Sequence, residues 1–240
     1  MNSGGSLCST PATHLSPPQT DLKMTITHQR TNGFAMAILV EGGLGLVAIL
    51  LAWLFSVSLR ELIPAPGAPL LLAVARGILV TLPMLAIFFW LVHSSRETLR
   101  QLRRQVEWLI GEMFPAARIA EFALVALLAG VGEELLFRGV IQSLLADWTT
   151  PMIGLLITSL LFGLAHALST LYFALATVIG LAFGWLVFYY GEIVAPMVAH
   201  SLYDFVALVY LSRRTARTGS PSNHSEFQEQ SSEKTGSADD

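Results

Sequence analysis

The chain has 240 residues, of which 53% are hydrophobic and 13% charged, and its formal net charge is −3. A water-soluble domain carries about 25% charged residues, and this near-neutral balance carries no whole-molecule electrostatic signal for nucleic acid. Its one cysteine, Cys8, excludes an intramolecular disulfide and a cysteine-based zinc site.

Residues 1–32 are rich in Ser, Thr, Pro and Gly and lack an apolar region followed by a small-residue cleavage site. They read as a disordered tail without a cleavable signal peptide. Residues 33–116 hold two apolar stretches, roughly 34–59 and 69–92, followed by a polar connector. Residues 117–212 hold four more, roughly 118–145, 151–168, 171–190 and 193–211. Residues 213–240, ending in SSEKTGSADD, read as a second disordered tail, since neither tail buries enough apolar surface to offset the entropy of ordering. About 20 apolar residues cross about 30 Å of hydrocarbon, and all six stretches qualify, the fourth being short. Only helices and closed barrels satisfy the backbone in lipid, and these runs do not alternate as barrel strands do. The expected fold is all-α: a polytopic membrane bundle of about six transmembrane helices.

The connector adds a seventh helix. Over 96–114, Leu99, Leu102, Val106, Leu109 and Met113 recur at helical spacing while the arginines take the other face, the pattern of an interfacial amphipathic helix. Lys and Arg also set the orientation. Lys23 and Arg30 precede the first span; Arg96, Arg100, Arg103, Arg104 and Arg118 lie between the second and third; Arg213, Arg214 and Arg217 follow the sixth. Six spans put all three groups on one side, with Arg60 opposite. The expected product is an integral protein of the plasma (inner) membrane with both termini cytoplasmic.

An ionisable group inside a span costs about 2.5–3.5 kcal/mol on insertion scales, so each needs a reason. Those present are Glu41, Arg76, Glu121, Glu133, Glu134, Arg138, His166, His200 and Asp204. Glu41 and Arg76 are expected to pair across the first two helices, and Glu121 to snorkel from its helix end. His93 at a helix end, and His14, His28 and His224 in polar segments, read as solvated.

Three patterns remain. In Gly132-Glu133-Glu134-Leu135-Leu136-Phe137-Arg138, Glu134 and Arg138 share a helix face and can pair, while Glu133 points elsewhere without a local cation. Two adjacent buried carboxylates cannot both carry charge cheaply, which suits one of them to act as a general base. In Phe162-Gly163-Leu164-Ala165-His166 the histidine shares a face with Phe162 among small residues that let helices approach. In His200-Ser201-Leu202-Tyr203-Asp204 the acid either orients the histidine or joins it as a metal ligand. At about 1.5 Å per residue, Glu133 and Glu134 lie about 18 Å, His166 about 22 Å and His200 about 10 Å from the outer ends of their spans. Tilt and boundary error of about 5 Å still let them share one cavity near the midplane.

Together these motifs resemble the CPBP family: CAAX prenyl proteases and bacteriocin-processing (Abi) intramembrane proteases. The family pattern is EExxxR, FxxxH and HxxxN or HxxxD on successive helices. Glu133, Glu134 and Arg138, then Phe162 and His166, then His200 and Asp204 match it, over roughly residues 117–211. The resemblance implies a four-helix catalytic core at 117–212 and an endopeptidase acting, within the lipid bilayer, on a membrane-embedded or lipidated protein or peptide. It implies Glu133 as the base, with Glu134 held by Arg138 and His166 positioning or activating the water. His200 and Asp204 would hold the far side of the site and stabilise the oxyanion. Two histidines and a carboxylate are the minimum for a catalytic zinc site, so His166 and His200 are candidate zinc ligands. A zinc-free, glutamate-dependent mechanism is the other reading, and residue types do not choose between them. The chain is short for eukaryotic prenyl-processing members, so a CAAX substrate does not follow.

Two rival functions use the same residues. A non-catalytic membrane interaction or immunity protein would keep the core for packing and would tolerate Glu133→Gln. A proton-relaying transporter would show broken helices in corresponding halves, and this chain has no such symmetry.

Overall fold

A computed structural model describes residues 19–115 and 117–218, with side chains over 33–115 and 117–217. The rest of both expected tails, with Cys8, His14 and His224, lies outside the described residues, as does the side chain of His28. The described elements are all helical: α1 Gln19–Leu54, a 3-10 turn Leu59–Leu62, α2 Ala68–His93, α3 Glu97–Met113 and α4 Ile119–Glu134. A π-helical segment, Leu135–Gln142, continues α4 into α5 Ser143–Trp148; then follow α6 Pro151–Ala165, α7 Thr170–Tyr190 and α8 Val194–Thr218.

By length and composition, four stretches suffice to cross a bilayer: Gly33–Leu54, α2, α7 and Val194–Arg217. The third and fourth apolar stretches differ from simple spans. One becomes the jointed rod α4–π–α5, which carries Glu133, Glu134 and Arg138 in its interior. The other becomes α6, whose 15 residues are fewer than the roughly 17–25 a crossing needs. Large apolar side chains face outward, among them Leu39, Leu46 and Trp53 on α1, Leu79 on α2 and Leu160 and Leu164 on α6. Apolar exposure on that scale suits a lipid surface, so the molecule is a polytopic helical membrane protein.

Small residues set the close approaches, as is usual between helices in lipid. Ala48, Ala73, Ala195 and Ala199 are wholly buried. The main contacts run α1 to α4, α4 to α8, α2 to α8 and α6 to α7. At Gly132 a Cβ would stand 2.5 Å from the carbonyl oxygen of Glu41, and at Gly77 one would stand 2.6 Å from that of Ala195. The helix ends are closed locally. Thr150 accepts from the Ile153 N–H at 3.3 Å ahead of Pro151, and Ser169 accepts from the Tyr172 N–H at 3.2 Å. Gly191, at φ +67°, ends α7 in the left-handed conformation glycine adopts freely.

Helix α3 forms where its periodicity predicts, with Ile110 buried and its apolar side against α8. Not every arginine takes the outer face. Arg103 turns inward and donates to the Val92 carbonyl at 2.5 Å, satisfying a C-terminal carbonyl of α2. Arg104 and Arg100 pair with Glu97, and the Arg104 hydrogen bond chiefly holds the Glu97 carboxyl below the usual carboxylate range. His93, expected to be solvated, bonds to the Phe89 carbonyl at 2.8 Å and lies 3.1 Å from the Tyr210 hydroxyl. The Glu121 carboxylate accepts the Arg118 backbone N–H at 2.8 Å, capping α4.

The boundaries expected at residues 32 and 212 fall inside helices. α1 is described from Gln19, and the run to Thr31 contains no Pro or Gly to break it. α8 continues to Thr218, its end held against α3 by an Arg214–Glu107 ion pair at 2.9 Å.

Candidate active site

The site is built where the last turn of α4 passes into the π segment. Such wide turns arise inside α-helices and often mark functional sites. Glu134 and Arg138 are fully buried, with Arg138 Nη1 donating to Glu134 Oε1 at 2.9 Å. The guanidinium also donates through Nη2 to the Gly180 carbonyl at 3.1 Å, and its carbon lies 4.2 Å from the centre of the Phe162 ring and 5.5 Å from that of Phe183. Three aromatic faces and two hydrogen bonds replace the water this cation has lost; the third is Phe137.

α8 supplies the next link. His200 Nδ1 sits 2.9 Å from the same Glu134 oxygen, and its Nε2 lies 3.4 Å from Asp204 Oδ2. The order Arg138, Glu134, His200, Asp204 therefore places a carboxylate oxygen beside each ring nitrogen of the histidine. Phe183 stacks on His200 with ring centres 5.3 Å apart.

His166 comes from the C-cap of α6. Its Nδ1 lies 2.9 Å from the Phe162 carbonyl, which can only accept, so Nδ1 is the donor and Nε2 an acceptor. That Nε2 faces Glu133 Oε2 at 3.6 Å. Glu133 is buried, while the His166 side chain is 26% exposed, giving the pair an outlet. Phe162 stacks on His166 at 4.5 Å and meets His200 edge-on at 5.9 Å, so one ring spaces the two histidines.

All six residues singled out in the sequence thus lie in one cluster, but in two groups. Glu133 faces His166; Glu134, Arg138, His200 and Asp204 form a separate chain of contacts. Glu134 serves two partners rather than Arg138 alone. The candidate zinc ligands His166 and His200 are not arranged around a common metal position. Both nitrogens of His200 are directed at carboxylates, and among the described residues no three His, Cys, Asp or Glu side chains converge as metal ligands.

The expected Glu41–Arg76 pair does not form. Arg76 lies 3.9 Å from Glu192 and stacks at 3.9 Å over Tyr190, while Glu41 stands beside Glu133, within hydrogen-bonding reach of its carboxyl. Arg76 lies too near the α7–α8 end of the bundle to meet Glu41. Phe183, Gln142 and the carbonyls of Gly180 and Gly184 also belong to the site or its support, with Gln142 donating to Gly184 at 3.1 Å. The Gly180-xxx-Gly184 spacing on α7 is the signal that identifies that close approach.

Residues 115–206 match the family described as type II CAAX prenyl endopeptidase Rce1-like. This segment is similar to that family. No curated protein and no solved structure matches the chain. The Rce1-like segment opens just before α4, closes two residues past Asp204 and contains all six site residues, whereas α1, α2, α3 and Glu41 lie outside it. With the apolar helices around it, the molecule is an integral membrane protein that carries a segment similar to type II CAAX prenyl endopeptidases.

Proposed function

We propose that the protein is an intramembrane endopeptidase that hydrolyses a peptide bond in a membrane-embedded or lipidated protein or peptide. The observation that carries this reading is Glu133 Oε2 facing the acceptor nitrogen of His166 at 3.6 Å. Two acceptors at that spacing suit a water that donates to both. Glu133 takes one proton as the water oxygen bonds to the scissile carbonyl carbon. The resulting oxyanion is stabilised by a donor on the far side of the cluster, which we assign to Nε2 of His200. Glu134 holds Nδ1 at 2.9 Å. The 3.4 Å contact of Nε2 with Asp204, longer than an ordinary hydrogen bond, leaves that N–H to turn to the substrate oxygen. Collapse breaks the C–N bond, and Glu133 returns its proton to the leaving amine. The water's oxygen and one hydrogen end on the new carboxyl group, the other hydrogen on the amine.

The lysine and arginine asymmetry supports cytoplasmic termini, and the membrane we assign is the plasma (inner) membrane. The test compares membrane fractions carrying wild-type and Glu133→Gln protein. A membrane-bound polypeptide accumulating uncleaved in the variant, and cut by purified wild-type protein, is the expected result. Identical fractions and identical cleavage would instead identify a packing scaffold, such as an immunity or interaction protein.

A further inference from the structure

We propose that the groove between the 3-10 turn, the start of α2 and the α7–α8 turn binds one phospholipid whose headgroup joins a phosphate to a primary ammonium. Arg76 takes the phosphate, and Glu192 and Glu61 take the ammonium. The groove shares no residue with the Glu133–His166 cluster, and the inference does not depend on the endopeptidase reading.

The groove has a volume of about 480 Å³, within the roughly 300–1,000 Å³ of small-ligand sites. Arg76 is held in it by stacking, with its guanidinium 3.9 Å over the Tyr190 ring. Its Nη1 lies 3.9 Å from Glu192 Oε1, beyond hydrogen-bond range. Among the described residues that guanidinium has no hydrogen-bond acceptor. Glu192 is the converse. Its Oε2 accepts the Ala195 N–H at 2.9 Å, which fixes the carboxylate, while Oε1 is buried without a hydrogen-bond partner. Only 7% of that side chain is exposed. Glu61, on the exposed turn, adds a second carboxylate to the lining. The groove thus sets unmatched donors beside an unmatched acceptor, with two carboxylates against one guanidinium. A lone phosphate would leave both acids facing it, and a quaternary ammonium brings no N–H to Glu192. A phosphate with a primary ammonium beside it satisfies both ends with charge-assisted hydrogen bonds. The surroundings make that ligand a lipid. The Ile193 N–H donates to the Leu62 carbonyl at 2.9 Å, so the groove lies where α8 begins, at one end of the bundle. Tyr189 and Trp148 are exposed at this end, and such rings gather at headgroup level. Leu72 in the lining and Leu79, two turns further along the same face of α2, are exposed and offer a path for acyl chains.

The experiment offers the full chain in detergent equal amounts of phosphatidylethanolamine, phosphatidylcholine and phosphatidylglycerol with the same acyl chains, and counts retained lipids by native mass spectrometry. One phosphatidylethanolamine should be retained about 10-fold over either competitor, the scale of one hydrogen bond to a charged group. Arg76→Gln and Glu192→Gln should each abolish that preference, and Glu61→Gln should reduce it. Arg60→Gln, on the same exposed turn but outside the groove, should keep it. Equal retention of the three lipids, or a preference for phosphatidylglycerol, would overturn the proposal. So would a preference that survives both Arg76→Gln and Glu192→Gln, or one that Arg60→Gln removes. If the two groove variants do not fold, the exposed pair decides: loss in Glu61→Gln alone supports the site, and equal behaviour of Glu61→Gln and Arg60→Gln overturns it. Glycerophosphoethanolamine, the same headgroup without acyl chains, should fail to displace the lipid at equal concentration. Displacement there would make the ligand a soluble compound and overturn the lipid assignment.

Discussion

Glu133 and Glu134 are consecutive and both buried, but they serve different partners. Glu134 is fully buried and holds both Arg138 and His200 on one oxygen. Removing Arg138 strands that carboxylate in a dry interior, where breaking a buried pair costs about 3–5 kcal/mol. Arg138→Ala and Glu134→Gln should therefore lower the thermal unfolding midpoint in detergent along with activity. Glu133→Gln removes a crowded carboxyl that has no cation at contact distance. It should leave the midpoint unchanged or raise it, while kcat falls by about 10²–10⁴-fold, the usual contribution of a general base. An active Glu133→Gln protein, or one that unfolds like Arg138→Ala, would move the base to Glu134. The Glu134–Arg138 pair was legible because four residues bring two side chains onto one helix face. The Glu134–His200 bond was not, because 66 residues separate the partners and only the register of α8 against α4 brings them together. Glu41 was misread because the cation assigned to it, Arg76 on the next helix, belongs to Glu192 in space.

Helix by helix, the apolar runs located the elements and left their joints hidden. The six stretches and the amphipathic α3 lie where periodicity predicts. The π segment does not show, since a wide turn changes the backbone bonding and leaves composition untouched. Nor does the early stop of α6 at His166, whose apolar run continues through Ala167 and Leu168. The joint between α1 and α4 makes a direct prediction. A methyl at residue 132 would stand 2.5 Å from the Glu41 carbonyl, so α1 must move. Overpacking of this kind costs about 1–3 kcal/mol, and Gly132→Ala should lower both the unfolding midpoint and the cleavage rate. Gly42 and Gly43 have open space where a Cβ would stand. Gly42→Ala and Gly43→Ala should match wild type or gain slightly from helix propensity. A Gly132→Ala protein indistinguishable from these controls would show that the α1–α4 contact is looser than described.

At the scale of the whole molecule, two ends can be told apart by contact. The Ile193 N–H donates to the Leu62 carbonyl at 2.9 Å, and Phe55 meets Trp148 edge-on at 6.4 Å, so the 3-10 turn, α5 and the start of α8 share one end. Arg214 on Glu107 joins the end of α8 to α3 at the other. Reporter fusions after residues 63 and 217 should accordingly land on opposite faces of the membrane, the second in the cytoplasm. Both on one face would overturn the orientation drawn from Lys and Arg. The bilayer itself enters through α6. Its 15 residues rise about 22 Å at about 1.5 Å each, against about 30 Å of hydrocarbon, and Leu156, Leu160 and Leu164 present that short flank outward. Lipids beside α6 must therefore thin, or let headgroups sink towards His166. Membrane thickness becomes a rate-controlling variable: cleavage should quicken in vesicles of short-chain phosphatidylcholine and slow as the acyl chains lengthen. A rate indifferent to chain length would mean that protein, not lipid, covers the turn where α6 ends.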